Sequence, residues 1–129
     1  MRWIYLSPHF DDVALSCGGL LWEQTHSGIA AEIWTVCAGD PPAGSESDFA
    51  KAMHTIWQSG NAAETVALRR IEDKSSARRL GATTQHLSIP DAIYRRSNTG
   101  TLLYQESVFV DMHPREAQIA QEVARQLAE

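Results

Sequence analysis

From its first residues the chain alternates strand-like and helix-like segments, and that alternation restricts it to parallel-sheet architectures. Arg2-Trp3-Ile4-Tyr5-Leu6-Ser7 reads as a strand and runs directly into the turn Pro8-His9-Phe10-Asp11-Asp12. Residues 13–27 then place Val13, Cys17, Leu20 and Leu21 at helical spacing, with Asp11 or Asp12 as cap and Gly28 as stop. Gly18 and Gly19 lie inside that helix, where glycine costs about 1 kcal/mol each against alanine. They are therefore expected where a neighbouring element or the site comes close. Residues 30–38 read as a largely buried strand, and Gly39 to Ser45 as a loop. Phe49, Ala52, Met53, Ile56 and Trp57 form a helical stripe that Ser59-Gly60-Asn61 breaks. A further helix is expected from Ala62 to Leu80, with Asn61 and Glu64 at capping-box spacing and Gly81 as its stop. Residues 83–89 make a third strand ending at Pro90-Asp91. Residues 92–112 follow no clear period. Pro114 opens a last helix with Ile119, Ala120, Val123, Ala124 and Leu127 on one face.

The expected fold is therefore α/β: a Rossmann-like parallel sheet with helices on both faces. Three strands make a small sheet, and no strand follows the last helix, so the domain is expected to be incomplete. A length of 129 residues sets one domain with a sizeable core. Acidic residues outnumber basic ones by 16 to 11, and no basic face stands out, which argues against nucleic acid or anionic membrane as partner. No apolar run approaches the ~20 residues that would span a membrane. The N-terminus enters a strand at once, so no signal peptide is expected. Cys17 and Cys37 sit in apolar settings and read as reduced, buried thiols of a cytoplasmic protein.

The chemistry concentrates after the first strand. His9, Asp11 and Asp12 sit at a strand's carboxyl end, where open α/β sheets place their ligands. An imidazole and a carboxylate three positions apart suit zinc, although other divalent ions take similar donors. A further carboxylate beside them is the base that a metal-assisted hydrolase needs. The plainer reading is a turn histidine followed by a capping aspartate. A generic nucleotide-binding domain is disfavoured, because the turn holds two aspartates where a glycine-rich phosphate loop would be needed.

The string from Ser7 through Asp12 to Gly18-Gly19 resembles the opening motif of the LmbE/PIG-L family of zinc-dependent N-deacetylases. Arg69-Arg70-Ile71-Glu72-Asp73, with Ala77 and Leu80-Gly81, is similar to the family's Arg-Arg-x-Glu helix ending in Leu-Gly. Leu87-Ser88-Ile89-Pro90-Asp91 is similar to the strand and aspartate that follow. The resemblance implies zinc-dependent removal of an N-acetyl group from an N-acetylglucosamine-type or related amide substrate, by metal-activated water. It implies His9 and Asp12 as zinc ligands, Asp11 as general base, and Arg69 and Asp91 as contacts to sugar hydroxyls or a phosphate. Phe10 stands where the family usually has proline.

The family's third ligand comes from a later His-x-x-His-type motif that this sequence lacks. His113-Pro114-Arg115-Glu116 has its first half only, so His113 is a candidate third ligand and, more simply, a helix-entry residue. Residues 1–129 are accordingly expected to be one deacetylase domain, truncated before the later histidine motif. An unpaired sheet edge and helix face favour a homo-oligomer. The alternative is a non-catalytic fragment or binding module with an incomplete metal site.

The remaining candidates have plain readings. His54 is expected at a partly solvated helix position, His26 at a helix end, and His86 in sheet packing. Arg70 is expected on a solvated, ion-paired face, with Glu72 holding Arg69. Asp91 reads equally as a turn residue after Pro90. Trp3, Trp22, Trp34 and Trp57 read as packing rather than a sugar platform. Substrate choice is left to the loops 39–48 and 92–112.

Overall fold

Strand β1, Arg2–Ser7, pairs in parallel with β2, Ala30–Thr35, along its whole length, from Arg2 opposite Ala30 to Ser7 opposite Thr35. Strand β3, Thr83–His86, joins the far side of β2, with Glu32 opposite Thr83 and Thr35 opposite His86. The computed structural model describes residues 1–128. The sheet order is β1-β2-β3. Helices α1 (Asp12–His26), α2 (Asp48–Ile56), α3 (Ala62–Arg79) and α4 (Ile119–Ala128) flank it, with short 3-10 turns at Ala92–Tyr94 and Pro114–Glu116.

β2 and β3 end three residues earlier than the sequence pattern indicates, at Thr35 and His86. Backbone bonding nevertheless continues past those ends. Val36 N–H donates to Ser7 O at 2.8 Å, Cys37 N–H to Pro8 O at 2.9 Å, and Leu87 N–H to Thr35 O at 2.9 Å. The apolar runs thus extend into loops that stay tied to the sheet, which is why periodicity alone overestimates the strands. Gly39 lies against this layer, and a Cβ there would overlap the Ser88 carbonyl. Residues 92–112, which have no period, contain the Ala92–Tyr94 turn and a single antiparallel bridge between Arg96 and Leu102.

Right-handed crossovers in this strand order carry α1 and α3 to the same face of the sheet. Tyr5, Ala31 and Ile33 point there, and pack with Val13, Cys17 and Leu21 of α1 and with Ala77 and Leu80 at the end of α3. On the alternate positions of β1, Ile4 and Leu6 are exposed. α4 meets the chain just beyond β3, where Ser88 N–H donates to Gln126 Oε1 at 2.8 Å. A second cluster lies under the loops that follow the strands. Phe10, Ala38, Ala50, Ala62, Val66, Ile93 and Tyr94 pack together there, with Phe49, Trp57 and Val108 against them. This second cluster positions the site, because it anchors the turn after β1, α2 and the first half of α3 to one another.

Local signals set the helix ends. Ser47 Oγ accepts from Ala50 N–H at 3.0 Å and starts α2. At α3, Glu64 N–H donates to Asn61 Oδ1 at 3.0 Å and Asn61 N–H donates to Glu64 Oε2 at 3.3 Å, so both halves of the capping box form. The last helix differs from expectation. Pro114 opens a single 3-10 turn, and α4 proper begins at Ile119.

The Gly18-Gly19 pair also serves another end than the close approach expected of it. A Cβ on Gly18 would lie in ordinary contact with Leu80, at 3.8 Å, and one on Gly19 would meet nothing within 4 Å. α1 instead leaves helical geometry at Cys17, with φ −143° and ψ 20°, and kinks there. Gly pairs are a usual locus of such kinks. Gly19→Ala is therefore expected to be neutral or to stabilise the chain by up to about 1 kcal/mol, since it removes backbone freedom without a clash. Asn61→Ala is expected to cost about 1 kcal/mol through the lost cap. Urea unfolding of both variants checks the pair of signs.

Candidate active site

The site begins where β1 stops. Ser7 is fully buried, and its hydroxyl donates to His9 O at 2.7 Å while accepting from Val13 N–H at 3.2 Å. One hydroxyl thus closes the turn and supplies a partner for an early N–H of α1. The Asp12 Oδ2 accepts from His9 N–H at 2.8 Å and lies 3.2 Å from His9 Nδ1. Asp11 occupies the N-cap position in a left-handed conformation, φ 71° and ψ −12°, and its side chain makes no capping bond. Neither aspartate caps the helix, so the plainer reading of the motif fails. A non-glycine residue held in this region costs on the order of 1–3 kcal/mol and persists only where its surroundings enforce it.

Those surroundings come from α3. Arg69 Nη2 donates to Phe10 O at 3.2 Å and to Asp11 Oδ1 at 3.4 Å. Its guanidinium lies 5.5 Å from the Phe10 ring centroid and 5.0 Å from that of Trp57. Such cation–π contacts are worth about 0.5–2 kcal/mol each, more as water is excluded. Phe10 is thus more than a tolerated replacement for proline: it is buried and forms one plate holding Arg69. Beside it a cleft of about 170 Å³ is lined by Asp11, Trp57, Leu68, Arg69 and Glu72 among others.

Asp91, Arg69, Phe10 and Cys37 border one small gap with Tyr94. The Asp91 side chain accepts from Ile93 N–H at 3.2 Å, so it caps the 3-10 turn while facing the site. From the sequence Cys37 reads as a buried, reduced thiol. In the structure it reaches His9, and Arg95 Nη2 donates to its sulfur at 3.3 Å. The sequence signal was its place at the end of the second apolar run; in the structure Cys37 lies two residues past β2 and its N–H bonds to Pro8 O. The hydrogen bond with Cys37, and then the nearby Asp91 and Asp12 carboxylates, push the His9 imidazole up to about 9, against an opposing effect of burial.

Other expectations change. His54 is buried rather than partly solvated: its Nε2 lies 2.6 Å from the Tyr94 hydroxyl and its Nδ1 3.4 Å from Glu46 Oε2. Helical spacing places it beside the stripe, but Tyr94 comes from the 3-10 turn forty residues on and Glu46 from the loop just before α2. Arg70 pairs with exposed Asp40 at 2.7 Å, and also donates to Ala38 O at 2.6 Å and 3.1 Å, so it fastens the loop after β2. Trp34 is buried, whereas Trp3 and Trp22 are half-exposed. His86 bonds to Asp73 at 2.8 Å and meets the Phe10 ring edge-on.

His113 is a helix-entry residue. Its Nδ1 accepts from Arg115 N–H at 3.2 Å and caps the turn at Pro114–Glu116. It does not join His9 and Asp12. Their donor types suit zinc, but among the described residues no group of three His, Cys, Asp or Glu is arranged to hold a metal. A catalytic zinc usually keeps three protein ligands, and His9 with Asp12 falls short of that number.

In the metal-free chain the His9 ring is expected to titrate near 9, followed by NMR of its ring carbons. Cys37→Ala is expected to move the midpoint down toward about 6.5. Because the raised group is protonated below its midpoint, any metal ion that takes His9 as a ligand has to displace a proton there. Apparent zinc affinity is therefore expected to climb with pH and to flatten above about 9.

The sequence pattern of PIG-L, described as GlcNAc-PI de-N-acetylase, matches residues 4–129. A 2'-N-acetylparomamine deacetylase of Niallia circulans is 34% identical over 112 residues, which cover 79% of this chain and 40% of that protein. The crystal structure of a deacetylase–teicoplanin complex from teicoplanin biosynthesis superposes with a TM-score of 0.85 at 30% identity, covering 98% of this chain and 52% of that one. The zinc-inhibited form of teicoplanin deacetylase Orf2 gives 0.84 at 30% identity, covering 98% and 50%. The chain thus spans about half the length of these solved relatives and less of the curated one.

Proposed function

The chain belongs to the PIG-L (LmbE-like) family, and from that premise we propose that it serves zinc-dependent N-deacetylation, hydrolysing the acetamide of an N-acetylglucosamine-type or related amino-sugar substrate. The observation that carries this reading is the turn after β1. It presents His9, Asp11 and Asp12 together while using neither carboxylate as a helix cap. The relatives' names support the reaction type, and the zinc-inhibited relative supports the metal.

In this reading His9 and Asp12 hold the metal, as two of the three protein ligands that a catalytic zinc usually keeps. Zinc, when bound, makes water acidic enough to attack at neutral pH and polarises the acetyl carbonyl. The chain's own work is done by Asp11. Its carboxylate takes the proton from the attacking water and delivers it to the departing amine nitrogen. Arg69 orients that carboxylate through Nη2, and its other nitrogens make no bond among the described residues. They are free to meet a hydroxyl or phosphate of the substrate, with Asp91 across the gap. Arg69 therefore aims the base and contacts substrate at once, which the sequence alone did not separate.

Two further properties belong to the same proposal. Exposed Ile4 and Leu6 on β1 favour self-association, so light scattering is expected to report a dimer or larger species. The free thiols of Cys17 and Cys37 suit a reducing, cytoplasmic compartment. No helix among the described residues is long and apolar enough to cross a membrane.

The incomplete donor set favours one second reading, a metal-poor binding module. Elemental analysis together with amine release from an N-acetylglucosaminyl substrate separates the two. The deacetylase reading expects about one zinc per chain, lost in His9→Ala. It expects Asp11→Asn to keep the metal and lose amine release by roughly 10²–10⁴-fold. Absence of both metal and amine release supports the binding module for the chain by itself. Undiminished turnover in Asp11→Asn removes the base from Asp11.

A further inference from the structure

Beneath the turn lies a carboxylate that the proposed chemistry does not use. Asp73 is on α3, four residues after Arg69, and its side chain is 4% exposed. Its Oδ2 accepts from the Thr35 hydroxyl at 3.1 Å and lies 2.8 Å from His86 Nε2. Its Oδ1 accepts from Asp11 N–H at 3.5 Å. The partners come from the end of β2, the end of β3 and the turn after β1. A buried carboxylate is costly unless it is fully hydrogen-bonded, and an apolar side chain would fill the same space more cheaply. Satisfying the buried Thr35 hydroxyl is one reason for a carboxylate at this place, and it does not account for the bond to the Asp11 amide.

Geometry supplies one. Residues four apart share a helix face, so Arg69 and Asp73 reach toward the same turn from successive turns of α3. Arg69 holds the Phe10 carbonyl and the Asp11 carboxylate. Asp73 takes the Asp11 amide, and through His86 it fixes the ring that stands edge-on to Phe10, with centroids 5.4 Å apart. Asp11 is one of two non-glycine residues with positive φ among those described. A left-handed non-glycine residue persists where its surroundings over-determine it, and here Asp73 holds the amide while Arg69 holds the side chain.

We infer that Asp73 is a positioning residue, which keeps Asp11 in its left-handed conformation by accepting its amide and so aims the carboxylate that the deacetylase reading uses as base. The inference rests on that reading for its functional consequence, but the structural claim stands separately. Asp73→Asn is the informative change. It keeps the shape but exchanges one acceptor oxygen for an N–H₂ donor; Thr35 and His86, two donors against one, keep the remaining oxygen, and the N–H₂ turns to the Asp11 amide.

Amide hydrogen exchange at Asp11, followed by NMR, is the first readout. In the wild-type chain this amide is expected to exchange at least about tenfold more slowly than an unbonded one, although the residue itself is exposed. Asp73→Asn is expected to abolish that protection. Thr35→Val removes a donor to the same carboxylate without touching the turn, and is expected to retain the protection despite a similar fall in Tm. Kinetically, Asp73→Asn is expected to lower kcat by about 10–100-fold with KM little changed and zinc content intact, whereas Thr35→Val leaves kcat within about threefold. An unprotected Asp11 amide in the wild type overturns the inference, and this needs no variant to fold. So does an equal loss of protection and of kcat in both variants. If the wild type releases no amine, the deacetylase reading fails by itself and the exchange data alone decide the role of Asp73.

Discussion

The structure depends on a backbone conformation that the chain does not favour at the end of its first strand. Asp11 sits with positive φ, and the helix that follows starts without a side-chain cap from either aspartate. Side chains from outside the turn make this tolerable. Ser7 closes it from within the sheet, and Arg69 clasps its carbonyl and carboxylate. Local strain at a site persists where neighbours over-determine it, and here they come mainly from a helix some sixty positions along the chain.

That dependence explains why the core has two parts. The cluster between the sheet and α1 and α3 is the ordinary core of a parallel α/β unit. The second lies beyond the strand ends and includes Phe10 from the turn itself, together with Ala62 and Val66 of α3 and Ile93 and Tyr94 of the loop after β3. It joins the loop carrying Asp91 to the turn carrying His9. Rossmann-like sheets gather ligands outside the carboxyl ends of their strands. Here the apolar packing has moved to the same end and holds the loops in register.

Much of this was legible in the sequence. The β1-turn-α1 unit, the capping box at Asn61 and Glu64, and the helix stop at Gly81 were readable from local chemistry, because each acts within a few residues. The grouping of His9, Asp11 and Asp12 was readable for the same reason. What was hidden lies in contacts between distant segments. His54 reads as a solvated helix residue until Tyr94 and Glu46 bury it. Cys37 reads as a buried, reduced thiol until the backbone bond to Pro8, beyond the strand ends, brings it beside His9. Phe10 reads as a departure from a motif until it is seen stacked against Arg69.

By itself the sequence determined the alternation of elements, the family, and the residue types that carry the chemistry, since periodicity, turn residues and short motifs are properties of neighbours in the chain. It left open which strands pair with which, and how far, and which side of the molecule each loop faces. Tertiary structure decided that neither aspartate is a cap, that Arg69 reaches the turn before any substrate does, and that His113 is spent on its own turn. It decided these because a side chain's role follows from the partner it can reach, and across a parallel sheet those partners come from segments far apart in the chain.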